Sequence, residues 1–297
     1  MNILSNIPDS TGSRKEIENI VKDKVISDMI SMKNSVPKAE RPLFETFLDI
    51  YEAKILKTII SCSLTGDTNN IESNVTYLGH ITESFVKDIT SASNRDEIIA
   101  ALKIHPFLKG YSGEATIEEL IHYTDTVLTT KLTSIRFKVP PSIANPISEF
   151  TGRYIDIGNL NTILRGKLFG ENPEITESHI ILPGFQLSEA KLKELAKAEN
   201  ITEVISGLSG TYYSEIINSE AAFNTDAVSQ RELGKLIDRL YLDMANRFRS
   251  SYALTVGPSI KYLLTRFIEE KNMRALLMGR FVNLNKEDIE DMITLEA

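Results

Sequence analysis

The sequence has little to do chemistry with. Its 297 residues hold one cysteine, Cys62, so no internal disulfide is available. The neighbours of that cysteine in IISCSL are apolar, and a thiol in such a setting is expected to pack rather than react. No secretory signal is visible at the N-terminus, which together with the lone cysteine points to the cytoplasm. The apolar runs are only a few residues long, far short of the ~20 needed to cross a bilayer, so direct membrane insertion is not expected. Basic excess is also missing. With 33 Lys and Arg against 41 Asp and Glu the net charge is −8, which argues against nucleic acid as a partner and against adhesion to anionic lipid.

The motifs of common active sites are absent as well: there is no GxxxxGK[ST], no HExxH, no CxxC and no GxSxG. Four histidines, His80, His105, His122 and His179, are scattered with no spacing that puts two on one helical face, and each reads as an ordinary surface or packing residue. Gly207-Leu-Ser-Gly-Thr211 has no preceding strand and no following lysine in register, so it reads as a turn rather than a phosphate loop. Glu118–Glu119 and Glu269–Glu270 are adjacent rather than one helical turn apart, which marks them as solvated faces. No catalytic, cofactor-binding or metal-ligating residue follows from these patterns, and no cofactor is expected.

What the chain does have is a 42% hydrophobic composition, enough for a substantial core, and an internal repeat. Ile81–Leu102 lies over Leu187–Leu208 at an offset of 106 without gaps, matching Thr82 to Ser188 and, identically, Asn94 to Asn200 and Glu97 to Glu203. Ile147–Leu168 lies over Ile260–Phe281 at an offset of 113. There Arg153 meets Arg266, Tyr154 meets Phe267, Asp156 meets Glu269, Asn159 meets Asn272, Gly166 meets Gly279 and Lys167 meets Arg280. A weaker copy places Glu52–Ile60 over Asp156–Leu164 at an offset of 104. The chain therefore reads as three units, with expected boundaries at 1–75, 76–180 and 181–297.

The repeated segments carry helical periodicity, and the fold class expected is all-α. Leu233, Leu236, Ile237, Leu240, Met244 and Phe248 form one stripe of a helix expected from about Ser229 to Ser251. Thr82 and Ser188 suit N-caps, Asn94 and Asn200 suit the breaks that follow, and Asn285 suits a cap before Lys286. Pro140, Pro141 and Pro146 are expected to interrupt the second unit before its last helix, and Pro258 to do so in the third. Gly170–Pro173 and Lys109–Glu114 are loop candidates, and the first 14 residues are expected to be frayed.

At the repeated block the sequence resembles a known family. Tyr154-Ile-Asp-Ile-Gly-Asn-Leu-Asn-Thr-Ile-Leu-Arg-Gly-Lys167 is similar to the signature of the C subunit of archaeal-type ATP synthases, itself related to the d subunit of vacuolar ATPases. Leu182-Pro-Gly-Phe-Gln-Leu-Ser188 and Gly257–Phe281 resemble the same family, and the similarity runs over roughly residues 45 to 294. The resemblance implies a non-catalytic, three-lobed helical funnel with pseudo-threefold symmetry, seated on a membrane proteolipid ring and receiving the central shaft of a rotary ATPase. It implies no cofactor, and partners that are shaft subunits and the ring. The motif residues it marks, as structural or partner-contacting, are Asp156, Asn159, Arg165, Gly166, Lys167, Glu269, Asn272, Arg274, Gly279 and Arg280. The two asparagines are expected to cap or cross-link helices, and the two glycines to permit close helix approach. The first copy departs from the pattern, with Ile55 where the others have Asn159 and Asn272, and Ser61-Cys62 in place of Arg165-Gly166. Its N-terminal segment is also shorter than the family's usual one. A helical repeat scaffold with unrelated cytoplasmic partners is the competing expectation, separated from the first by whether the units close round an axis.

Overall fold

The structure, a computed structural model, describes residues 14–68, 71, 75–218 and 228–295, with side chains from Asn19 onward. Among them are thirteen α-helices and no strand; the only β feature is an isolated bridge between Leu78 and Ile81. The chain is all-α, as its periodicity requires. No described helix is long and apolar enough to cross a membrane. The segment expected to be frayed lies, but for Arg14, outside the described residues.

Two compact units divide the chain: Met1–Leu132 with Met273–Lys286, and Thr133–Asn272 with Glu287–Ala297. In the first, α1 (Arg14–Ser35) packs on α2 (Arg41–Leu64). Val25 and Met29 on one helix and Phe44, Phe47, Ile55, Leu56, Ile59 and Ile60 on the other supply core side chains almost wholly removed from water. A short helical pair follows, α3 (Glu83–Thr90) and α4 (Arg95–Leu102), and α4 touches α2. The helix α5 (Ile117–Ser134) is tied to α2 by Lys57–Asp125 at 2.7 Å and Lys131–Asp49 at 2.9 Å.

The second unit is built on α6 (Pro141–Phe169). Against it lie α7 (Pro173–Ser178), the pair α8 (Glu189–Lys197) and α9 (Ile201–Gly207), and α11 (Gln230–Ser251), with α10 (Tyr212–Asn218) joining α9 to α11. The apolar stripe of α11 is buried as its spacing foretells, and Ser229 closes a capping box with Glu232. Tyr241 of α11 stands between two rings that the repeat pairs with each other, 5.5 Å from Tyr154 and 5.7 Å from Phe267 of α12 (Gly257–Phe281). A last short helix, α13 (Lys286–Glu290), begins directly after Asn285.

The repeat is present in three dimensions as local structure. Thr82 and Ser188 cap α3 and α8, accepting from the amides of Phe85 and Lys191, while Asn94 and Asn200 cap α4 and α9, accepting from those of Glu97 and Glu203. The two glutamates return the favour in both copies, accepting from the amides of Ser93 and Glu199. Two expectations need correction. Pro141 and Pro146 lie inside α6 and Pro258 inside α12 rather than before them: Pro141 and Pro258 sit in the first turn, where no intrahelical donor is due, and Pro146 deprives only the exposed Ser142 carbonyl of its donor. Glu270 is 3% exposed, not solvated like its neighbour Glu269, because only alternate sides of α12 meet water.

Candidate functional site

Of the motif residues on α6, Asp156, Asn159, Gly166 and Lys167 meet the segments that follow that helix. Asp156 is wholly buried. Its Oδ2 accepts from the backbone amides of Phe185 (3.2 Å), Gln186 (2.7 Å) and Leu187 (3.3 Å), and from the Tyr213 hydroxyl at 2.8 Å. Three successive N–H groups aimed at one carboxylate demand a tight loop, and Gly184 provides it: a Cβ there would overlap Asp156 Oδ1. Burial pushes the Asp156 carboxyl above its ordinary range against the pull of the four donors. Burial, together with the adjoining carboxylate, holds the Tyr213 phenol far above its own, so Tyr213 acts as a donor.

One turn along α6, Asn159 makes a two-point clamp. Its Nδ2 donates to the Ile181 carbonyl at 2.7 Å and its Oδ1 accepts from the Ile181 amide at 2.9 Å. Asn272 on α12 repeats the clamp on Thr294, at 2.7 and 3.0 Å, and both reach 22 residues forward. The asparagines therefore neither cap nor cross-link helices; each side-chain amide satisfies both backbone polar groups of one residue outside the helices.

Gly166 allows close approach as expected, since a Cβ would meet Thr176 Oγ1 of α7 at 2.5 Å. Lys167 donates to the Ala196 carbonyl at the end of α8, and burial lowers its pKa. Glu269 pairs with Arg266 at 2.8 Å on the surface of α12. Arg165 and Arg280 are exposed, Arg274 is half-buried and Gly279 buried; none of these four joins the cluster round Asp156. Cys62 is half-buried on α2, in keeping with a packing role.

The first unit contains a cluster that residue spacing did not reveal. Glu52 on α2, 4% exposed, occupies the position paired with Asp156 by the offset of 104. Its Oε1 accepts from the His80 amide (2.7 Å), His80 Nδ1 (3.0 Å) and His105 Nε2 (3.0 Å), and a Cβ on Gly79 would overlap its carboxylate. Burial alone would raise the Glu52 carboxyl, but the bonds from His105 and His80 outweigh it and bring it below the ordinary range. Glu52, His80 and His105 bring one carboxylate and two imidazole nitrogens within 4.8 Å of one another, the separation at which a metal ion can be held. The hydrogen bonding favours a clasp instead. Phe107 N–H donates to His105 Nδ1 at 3.2 Å, which leaves the ring proton on Nε2, where a metal would need a lone pair. The histidines are 25 positions apart in sequence and gave no helical spacing; the alignment of Glu52 with Asp156 was the one available signal.

A family model described as "ATP synthase (C/AC39) subunit" matches residues 1–292. The chain belongs to this family. Among curated relatives, the A-type ATP synthase C subunit of Methanocaldococcus jannaschii is 25% identical over 289 residues, covering 91% of this chain and 70% of the relative. That of Methanothermobacter thermautotrophicus is 24% identical over 290 residues (94% and 75%), and that of Pyrococcus furiosus 23% over 286 (95% and 76%). For a C/AC39 chain, the arrangement found here gives part of the motif a physical sense: Asp156, Asn159 and Asn272 bond to the segments that follow their helices.

Proposed function

We propose that this chain is the non-catalytic coupling subunit of an archaeal-type rotary ATPase, joining the central shaft to the proteolipid ring. The observation that carries the reading is the family match along almost the whole chain. The clasps and clamps agree with it. A torque adapter must not deform, and α2, α6 and α12 each bind a following segment through a polar side chain with two or more hydrogen bonds, over close-packed cores. In this reading the chain has three helical lobes, 1–75, 76–180 and 181–297, arranged about an axis. The chain does no chemistry itself, turns with the rotor and reaches the membrane only through the complex. The exposed Arg165 and Arg280 are the motif members that face partners, whereas Asp156, Asn159, Gly166, Lys167 and Asn272 maintain the fold. Affinity purification of the tagged, full-length chain from its native membranes tests this. Shaft subunits and proteolipid are expected to co-purify in fixed proportion; their consistent absence, with the chain intact, would remove the reading.

A further inference from the structure

The repeat assigns a use to a groove on α12. On α6, the row Gly152, Arg153 and Asp156 is covered by the chain's own loop: Phe185 lies so close to Gly152 that a Cβ there would meet its Cβ at 2.8 Å. The Phe185 ring sits 4.8 Å from the Arg153 guanidinium, and the amides that follow bind Asp156. At the offset of 113 the same row on α12 is Thr265, Arg266 and Glu269, and these residues line an open groove of about 330 Å3 together with Lys261, Tyr262 and, from α11, Arg249. Every lining residue belongs to the second unit.

We propose that this groove docks a partner polypeptide that presents an aromatic side chain on a tight turn, flanked by acidic residues. The chemistry is read from the occupant of the equivalent row on α6. An aromatic ring is recognised by the Arg266 guanidinium, which already lies 5.5 Å from the Tyr262 ring, and backbone amides by the Glu269 carboxylate. The Arg266–Glu269 pair at 2.8 Å is a half-exposed i,i+3 contact along one helix, a weak kind of pair, so an incoming segment can exchange it. Thr265 Oγ1 is buried and, among the described residues, has no hydrogen-bond partner, although Thr124, Thr126 and Thr162 all return their hydroxyls to the carbonyl four residues back. It offers a bond to the guest. Thr265 also replaces Gly152, so the guest stands one side-chain layer farther out than Phe185 does, and the groove stays open to solvent. Arg249, Lys261 and Arg266 against the single Glu269 make this groove cationic on a chain of net charge −8, which selects an acidic partner.

The full chain, uniformly 15N-labelled, is titrated with the synthetic peptide LPGFQLSE, the sequence of residues 182–189, which carries both the turn and an acid. Saturable shifts in the amides of residues 261–269 are expected. They should weaken at least about fivefold with the peptide's phenylalanine replaced by alanine or with Arg266→Ala in the protein, and vanish with Thr265→Arg, whose circular dichroism and Tm match the parent. The proposal is overturned by an absence of saturable shifts, by shifts confined to residues 149–156 and 180–188, where the peptide would be displacing the chain's own loop, or by concentration-dependent self-association that Thr265→Arg abolishes, which would make a second copy the occupant. The groove is a property of this chain whether or not it turns in a rotary complex, so either reading can fail alone.

Discussion

The two buried carboxylates do one job with different chemistry. Glu52 and Asp156 sit at matched places on α2 and α6; each is pressed by a glycine and takes amide donors from the loop after it. Each also takes a ring donor from 53 or 57 residues on, beyond the following helical pair. In the second unit three amides and a phenol share Asp156, and burial still lifts its pKa; in the first, one amide and two imidazoles share Glu52, and its pKa falls. A fold can thus keep a clasp's topology while reversing its response to acid. Glu52 contributes stability that is present above its unfolded pKa and lost as pH falls through the lower folded value. Asp156 does the opposite: its contribution is greatest below its unfolded pKa and fades as pH rises through the raised folded one.

Truncation should separate the two most sharply. Asp156→Ala strands three amides and the Tyr213 hydroxyl, and is expected to cost about 3–5 kcal/mol in urea unfolding. Glu52→Ala strands one amide and the buried His105 Nε2–H, while the more exposed His80 ring can turn to water, for about 2–3 kcal/mol. Equal losses, or the reverse order, would mean that donor count does not set the strength of the clasp.

The asparagine clamps come next. Asn159→Ala and Asn272→Ala each remove two bonds to a single backbone residue and should each cost about 1–3 kcal/mol, with protease sensitivity appearing near Ile181 in one and near Thr294 in the other. The first copy has Ile55 at this place, 4% exposed and packed in the core, so it holds its following segment without a clamp. A smaller, directional effect concerns pH. Glu52→Gln should flatten the loss of stability expected of the parent as pH falls from about 5 to about 3, whereas Asp156→Asn should leave that loss intact or steepen it. Urea midpoints measured across that range check both signs, and parallel profiles for the two variants would erase the contrast.

What could be read from sequence follows the reach of each interaction. The caps at Thr82, Asn94, Ser188 and Asn200 bind amides three residues away, and the α11 stripe repeats every turn, so both are written locally. The clasps span 28 to 57 residues and depend on where packed helices carry their loops; residue type alone does not announce them. The repeat was the one long-range signal. It set Glu52 over Asp156 and Asn159 over Asn272, but it could not say that the asparagines clamp backbone 22 residues on or that His80 and His105 meet on Glu52. Pro146 was misplaced because a proline near a helix start costs little, and Glu270 because adjacent acids fall on different sides of a helix.

The smallest expected effect tests the division of the motif into holders and partner contacts. Three consecutive residues of α6 point three ways: Gly166 against Thr176, Lys167 to the Ala196 carbonyl, and Arg165 outward. Lys167→Ala should cost about 1 kcal/mol, since it leaves a carbonyl without its donor. Arg165→Ala should change stability by less than about 0.5 kcal/mol, as exposed substitutions away from caps and cores do. Its effect should appear instead in assembly, as reduced retention of the chain on the purified rotary complex at unchanged Tm. A loss of Tm comparable to that of Lys167→Ala would place Arg165 among the residues that hold the fold, and the motif would then carry no exposed contact at this turn.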